Sequence, residues 1–235
     1  MVEAGAAGAG TPTASGDLLA TDVDGPDDQW QPVTTPTASV NGFGTFMLTA
    51  AGEWAYTLIN AHPTVGALNN GQTLSDSFTV VTTDGVSQVV SITVQGANDA
   101  PATDLNGPSA GGGSAATFTE DAGAVVIAPA AAMADIDDTN MESMTVTLTN
   151  RPDGNSLESL SLNAVATAAA AAAGLTVSYA ALTGVLSISG SASKAIYETV
   201  LDGVRYNNTD QDPDTTARIV NVVVNDGDVS SAVNK

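Results

Sequence analysis

Between residues 22 and 28 the sequence sets four aspartates, Asp22, Asp24, Asp27 and Asp28, around Val23, Gly25 and Pro26, and no Lys or Arg precedes Arg151. Carboxylates this close repel. Two unit charges 4 Å apart cost about 1 kcal/mol in water and about 4 kcal/mol at an effective dielectric of 20. A hard cation relieves that repulsion, and calcium takes roughly six to eight oxygen ligands from carboxylates, carbonyls and water. A D-x-D pair suits it, because alternate side chains of an extended stretch point the same way. One such pair alone is equally a solvated turn, since Asp bonds its own backbone there. Recurrence favours the metal: Asp135-x-Asp137 repeats Asp22-x-Asp24 after 113 residues, and Glu120 precedes it as Glu3 precedes the first.

An EF-hand is excluded. Counting from Asp22, the position that needs Gly holds Asp27 and the one that needs Glu holds Val33. Counting from Asp210 in "DQDPD", the same places hold Thr215 and Asn221. The ligands must therefore converge from separate segments, and the elements that carry them decide whether they can.

Those elements are mostly strands. "FGTFMLTA", "EWAYTLI", "SDSFTVVTT" and "SQVVSITVQG" alternate apolar and polar residues between Gly, Asn and Asp turns, and so do "SMTVTLTN", "LTVSYA", "GVLSISG" and "RIVNVVVND". Many short strands with such punctuation predict β-sandwiches. Two helices are expected in the second half. "NAVATAAAAAAG" has Asn163 as N-cap and Gly174 as terminator. "SASKAIYETVLDGV" sets Ile196, Val200 and Leu201 on one face. Both are expected as insertions packed on a sandwich end. The turns Asp84-Gly85 and Asp226-Gly227 form a second repeated pair, 142 residues apart, so the second unit is the longer. Pro101 holds Ala100 extended and places the boundary near residue 101.

Composition limits the partners. Five Lys and Arg stand against 26 Asp and Glu, a net charge of −21, which argues against nucleic acid and an anionic membrane surface. Cysteine is absent, so thiol chemistry is not available. No apolar run approaches the length of a membrane span. "MVEAGAAGAG" lacks the basic start and apolar core of a signal peptide, and the chain is expected to be a piece of something longer. His62 is the sole histidine and is expected in a loop. Trp30 and Trp54 are expected in the core rather than as a ligand platform. Without a G-x-S-x-G elbow and with few aromatics to build a sugar cleft, an enzyme is not expected. Lys194 falls in the helical stretch, which disfavours an isopeptide crosslink.

Residues 2–101, through "GTFMLTAAGEWAYTLINAHPTVGALNNGQTLSDSFTVVTTDG" and "ITVQGANDAP", resemble the VCBS repeat of giant bacterial surface proteins, opening like a cadherin-type repeat. Residues 102–235 resemble the cadherin-like modules that follow such repeats, on "FTEDAG", "ADIDD", "VTLTNRPDG", "GVLSISGSAS" and "RYNNTDQDPDTTARIVNVVVNDG". The resemblance implies all-β architecture, two tandem Ig/cadherin-like β-sandwiches (1–101 and 102–235), the second with short helical insertions. It implies Ca2+ sites between units, fed by a first-strand Glu, an acidic turn and the N-D linker. Glu3, Asn98 and Asp99 would meet Asp135 and Asp137. Asp22 and Asp24 would face a preceding unit, and Glu120 with Asp210, Asp212 and Asp214 a following one. The first unit departs from this pattern, offering only Asn70, Gln72 and Asp76 at its acidic turn. The implied role is a calcium-rigidified spacer of an extracellular or surface-attached bacterial adhesin, monomeric, touching neighbouring repeats of its own chain. The alternative is a module that binds a glycan or protein receptor. Only eight residues follow Gly227, so the last strand is expected to be truncated and Arg218–Asp226 to have an unpaired edge.

Overall fold

The computed structural model describes residues 1–21, 23 and 29–235. The chain divides into two compact units, Met1–Asp99 and Ala100–Lys235, and both are built from β-sheets.

In the first unit the strands are β1 (Thr13–Asp17), β2 (Val33–Ala38), β3 (Gly44–Leu48), β4 (Glu53–Leu58), β5 (Thr73–Val81) and β6 (Ser87–Gln95). One sheet runs β1-β4-β3-β2 and the other pairs β5 with β6, all antiparallel. β2 carries Pro36 and a register break between Val33 and Thr37, as suits an edge strand, where a missing N–H breaks no ladder. Alternation places Phe46, Leu48, Tyr56, Leu58, Phe78, Val80, Ile92 and Val94 inside. Phe46 stacks on Phe78 at 4.2 Å, and Trp54 meets Phe78 edge-on. Trp30 is buried and its indole N–H donates to the Leu18 carbonyl at 3.0 Å. His62 lies in the β4–β5 loop, with Nδ1 accepting from Thr64 N–H.

The second unit contains β7 (Ala102–Asp104), β8 (Val125–Val126), β9 (Ala132–Ala134), β10 (Asn140–Leu148), β11 (Glu158–Leu162), α1 (Ala164–Ala172), β12 (Thr176–Ala180), β13 (Val185–Ser193), α2 (Lys194–Asp202), β14 (Val204–Asn208) and β15 (Val220–Asn225). A four-stranded sheet, β12-β13-β10-β15, accompanies a three-stranded one, β11-β14-β8, and the pair β7-β9. Met144, Val146, Leu148, Leu186, Ile188, Tyr206, Val222 and Val224 share one core.

Both helices are present. Asn163 caps α1 by accepting Ala166 N–H at 2.8 Å, and Gly174 follows it at φ +71°. The helices are parts of the core rather than additions to its end: Ala170, Tyr197, Val200 and Leu201 belong to the main cluster, while Ile196 is half-buried. Where α1 meets α2 the chain passes so close that a Cβ on Gly203 would stand 2.3 Å from the Ala166 Cβ. Acidic side chains of α2 also serve the short strand β9, since Glu198 accepts Met133 N–H and Asp202 accepts Ala131 N–H.

The edge of β15 is paired from Val222 to Asn225 and, among the described residues, open only at Val220. Ser230–Asn234 turns back antiparallel to it: Val222 and Asn234 exchange both backbone bonds at 2.9 and 3.1 Å, and Ser231 N–H donates to the Val224 carbonyl. A run too polar to look like a strand covers the edge, because backbone pairing needs no apolar side chains.

Candidate metal centre

Antiparallel pairing of β10 with β15 puts the start of one strand beside the end of the other, with Ser143 opposite Asn225. The loop that enters β10, Asp135–Thr139, therefore meets the turn that leaves β15 at Asp226. Carboxylate oxygens of Asp135, Asp138 and Asp226 lie within 4.8 Å of one another. They form the one such group of three among the described residues.

The surroundings fix these side chains in different ways. Asp226 is buried and its Oδ1 accepts the N–H groups of Asp228 and Val229, both at 2.7 Å. Asp135 Oδ1 accepts from Asp137 and Asp138 N–H at 3.3 and 3.1 Å, while its Oδ2 is buried without a hydrogen-bond donor. Burial, and then the neighbouring Asp137 carboxyl, push the Asp135 carboxyl up to about 6. Ser193 pairs with Asn140, so Lys194, the first residue of α2, stands next to this loop. Its ammonium donates to the carbonyls of Asp135 and Asp138 at 2.8 and 2.5 Å. The lysine thus pins the loop backbone through two carbonyls. Three hard oxygen donors from two segments, completed by water, are a set suited to calcium.

A second acidic cluster in this unit is organised around an arginine. Glu158 is fully buried, and its Oε2 accepts from Arg218 Nε at 2.8 Å and from Tyr206 Oη at 2.7 Å. Arg218 also forms an ion pair with Asp153, whose carboxylate accepts Asp214 N–H and the Asn208 amide. Asp153 is held below the usual carboxylate range, first by Asp214 N–H and also by Asn208 and Arg218, against its partial desolvation.

The ligands inferred from the sequence separate accordingly. Asp22 and Asp24 lie outside the described residues, as do Asp27 and Asp28. In the first unit Glu3 is buried, with Oε1 accepting Ala97 N–H at 3.1 Å. Asn98 is adjacent: its carbonyl accepts Ala6 N–H and its amide donates to the Asp99 carbonyl. Asp137 stands beside Asp135 but outside the triad. Glu120 is not on a strand; it sits exposed in a turn ahead of Asp121, which has φ +60°. Asp210 and Asp214 bond their own loop, accepting Asp212 N–H and Thr216 N–H, and neither they nor Asp212 join the triad. Asp76 is not in a turn. It lies inside β5, buried, accepting from Ser39 Oγ at 2.5 Å, Tyr56 Oη at 2.7 Å and the N–H groups of Ser77 and Asn41. Burial works to raise its pKa, but these four donors outweigh it and hold the carboxyl low.

Asp138 and Asp226 are the members that sequence spacing alone does not select. The signal was present as the doubled acid of "ADIDD" and as the repeated Asp-Gly turn.

No family model matches the sequence, and no curated protein matches it. Among solved structures, one described as "BspA_C_WT" is 7% identical, with a TM-score of 0.27, covering 94% of this chain and 82% of its own. The Streptococcus agalactiae AgI/II polypeptide BspA C-terminal domain is 8% identical, with a TM-score of 0.25 over the same shares. Similarity this low carries no functional inference.

Proposed function

We propose that the chain is a pair of calcium-binding spacer repeats from a large bacterial adhesin, secreted or surface-attached. The observation that carries this reading is the Asp135–Asp138–Asp226 triad, with Asp135 Oδ2 buried and lacking a donor. A buried carboxylate oxygen without a partner is costly, and a divalent cation supplies what it lacks. Water completes the coordination shell. The ion removes carboxylate repulsion at this end of the second unit and ties the β9–β10 loop to the end of β15, making that end stiff.

Rigidification of the pair requires in addition that Glu3 and Asp99 influence the same ion. Calcium titrations of Glu3→Gln and Asp99→Asn test that extension. Affinity unchanged in both would leave a metal site confined to the second unit and remove the spacer role. The primary test is the second unit's own response to metal: calcium should raise its unfolding midpoint, and Asp138→Asn should abolish the rise. A rise that persists in Asp138→Asn would refute the site.

A further inference from the structure

The second unit holds an open cavity of about 800 Å³ whose apolar walls are Leu105, Phe118, Val125, Ile127, Tyr206 and Val222. It lies apart from the aspartate triad. Beside it lie backbone groups that have no partner among the described residues. Along β15 the even-numbered residues turn their N–H and C=O groups outward, as the Val222–Asn234 and Val224–Ser231 bonds demonstrate. By the alternation of an antiparallel ladder the next outward residue is Val220. Its N–H and C=O have no partner among the described residues, and Val220 lines the cavity. Ala115–Phe118 also line the cavity; they lie outside any helix or strand, and their N–H groups have no hydrogen-bond acceptor among the described residues. Phe118 is anchored only by its side chain, edge-on to Tyr206 at 5.4 Å. Lys235 also lines the cavity, and its carbonyl accepts Ser114 N–H.

We propose that this cavity is an acceptor groove for an extended peptide strand with apolar side chains at alternate positions. The Ser230–Asn234 pairing sets the register: a strand continuing it would run antiparallel to β15, opposite Val220. Its backbone would satisfy the Val220 pair and the N–H groups of Ala115–Phe118. Its inward side chains would fill the apolar cavity while the others faced solvent. Strand addition of this kind draws affinity from main-chain bonds and specificity from alternate pockets. A sugar could bond these backbone groups but would leave the apolar walls unfilled.

The probe is a labelled peptide copying β6, SQVVSITVQ, whose inward residues in the first unit are Val90, Ile92 and Val94. Titrated with the full chain, it should bind one to one and protect the Val220 amide from hydrogen exchange. SQVPSPTVQ, in which two prolines remove donors, should fail to bind. Ala116→Trp, at an exposed residue on the groove wall, should weaken binding at least about tenfold while leaving the circular dichroism spectrum and calcium response intact. Three results would overturn the proposal: no binding at millimolar peptide, binding indifferent to Ala116→Trp, or uptake of a small apolar dye without uptake of the peptide.

Discussion

Two acidic clusters of the second unit solve one electrostatic problem in opposite ways. Around Glu158 and Asp153 the fold supplies its own cation, Arg218, together with Tyr206, Asn208 and a backbone N–H, so every carboxylate is met by donors. Around Asp135, Asp138 and Asp226 the lysine at hand is directed to backbone carbonyls, and a buried carboxylate oxygen of Asp135 has no donor. The first cluster is complete as folded. The second, on the proposed reading, would be completed by a cation from solution. A high density of acids is therefore not in itself a metal signal; the distribution of donors decides.

The largest effect is expected at the complete cluster. Arg218→Met leaves the fully buried Glu158 without its cation, and breaking a buried ion pair by removing one partner costs about 3–5 kcal/mol. Urea denaturation should show that loss for the second unit, with or without calcium. A loss below about 1 kcal/mol would mean that the arginine adds little and that the two clusters are alike.

Calcium itself comes next. At 100 times its dissociation constant it should add about 2.7 kcal/mol of stability. Asp226→Asn should remove most of that gain, and Asp153→Asn should not. Equal losses in the two variants would erase the distinction.

The pH dependence separates the clusters by sign. Asp135 has its folded pKa raised to about 6. Deprotonation therefore costs stability as pH climbs from about 4 to about 6, by about 1 kcal/mol once solvent screening is allowed for. Asp153 has its folded pKa depressed, so its contribution is present at neutral pH and is lost only as pH falls through the acidic range. In metal-stripped buffer, stability should decline from pH 4.5 to 7, and saturating calcium should flatten the decline. A rise over that interval without calcium would contradict the picture of Asp135.

How much of this was legible in the sequence differs by element. Strand alternation, the Asn163 cap, the Gly174 stop and the Asp135-x-Asp137 turn were all readable, because each is local. The triad was only half readable. Asp226 joins Asp135 through the β10–β15 register, which no spacing rule along the chain encodes. The run Asp210, Asp212 and Asp214 looked like a ligand set, yet it closes on its own backbone and on Asp153. The pairing along β15 is not legible in the sequence because Ser230–Asn234 pairs through its main chain, and the role of Arg218 is not legible because its partners lie some 60 residues earlier.

The smallest expected effect concerns Lys194. If the ammonium holds the Asp135–Asp138 loop in place, Lys194→Met should weaken calcium binding a few-fold, in the range of a lost charge-assisted hydrogen bond. Tighter binding would instead make the lysine a rival for the ion.

The measurement that bears most directly on the central claim is calorimetric titration of the full chain with calcium, run beside Asp135→Asn and Arg218→Met. Calcium coordination by the triad predicts saturable binding in the wild type, at millimolar affinity or tighter. It predicts loss of that binding in Asp135→Asn and its retention in Arg218→Met wherever that variant remains folded. Saturable binding that Asp135→Asn leaves untouched, or no binding by the wild type at ten millimolar calcium, would contradict it.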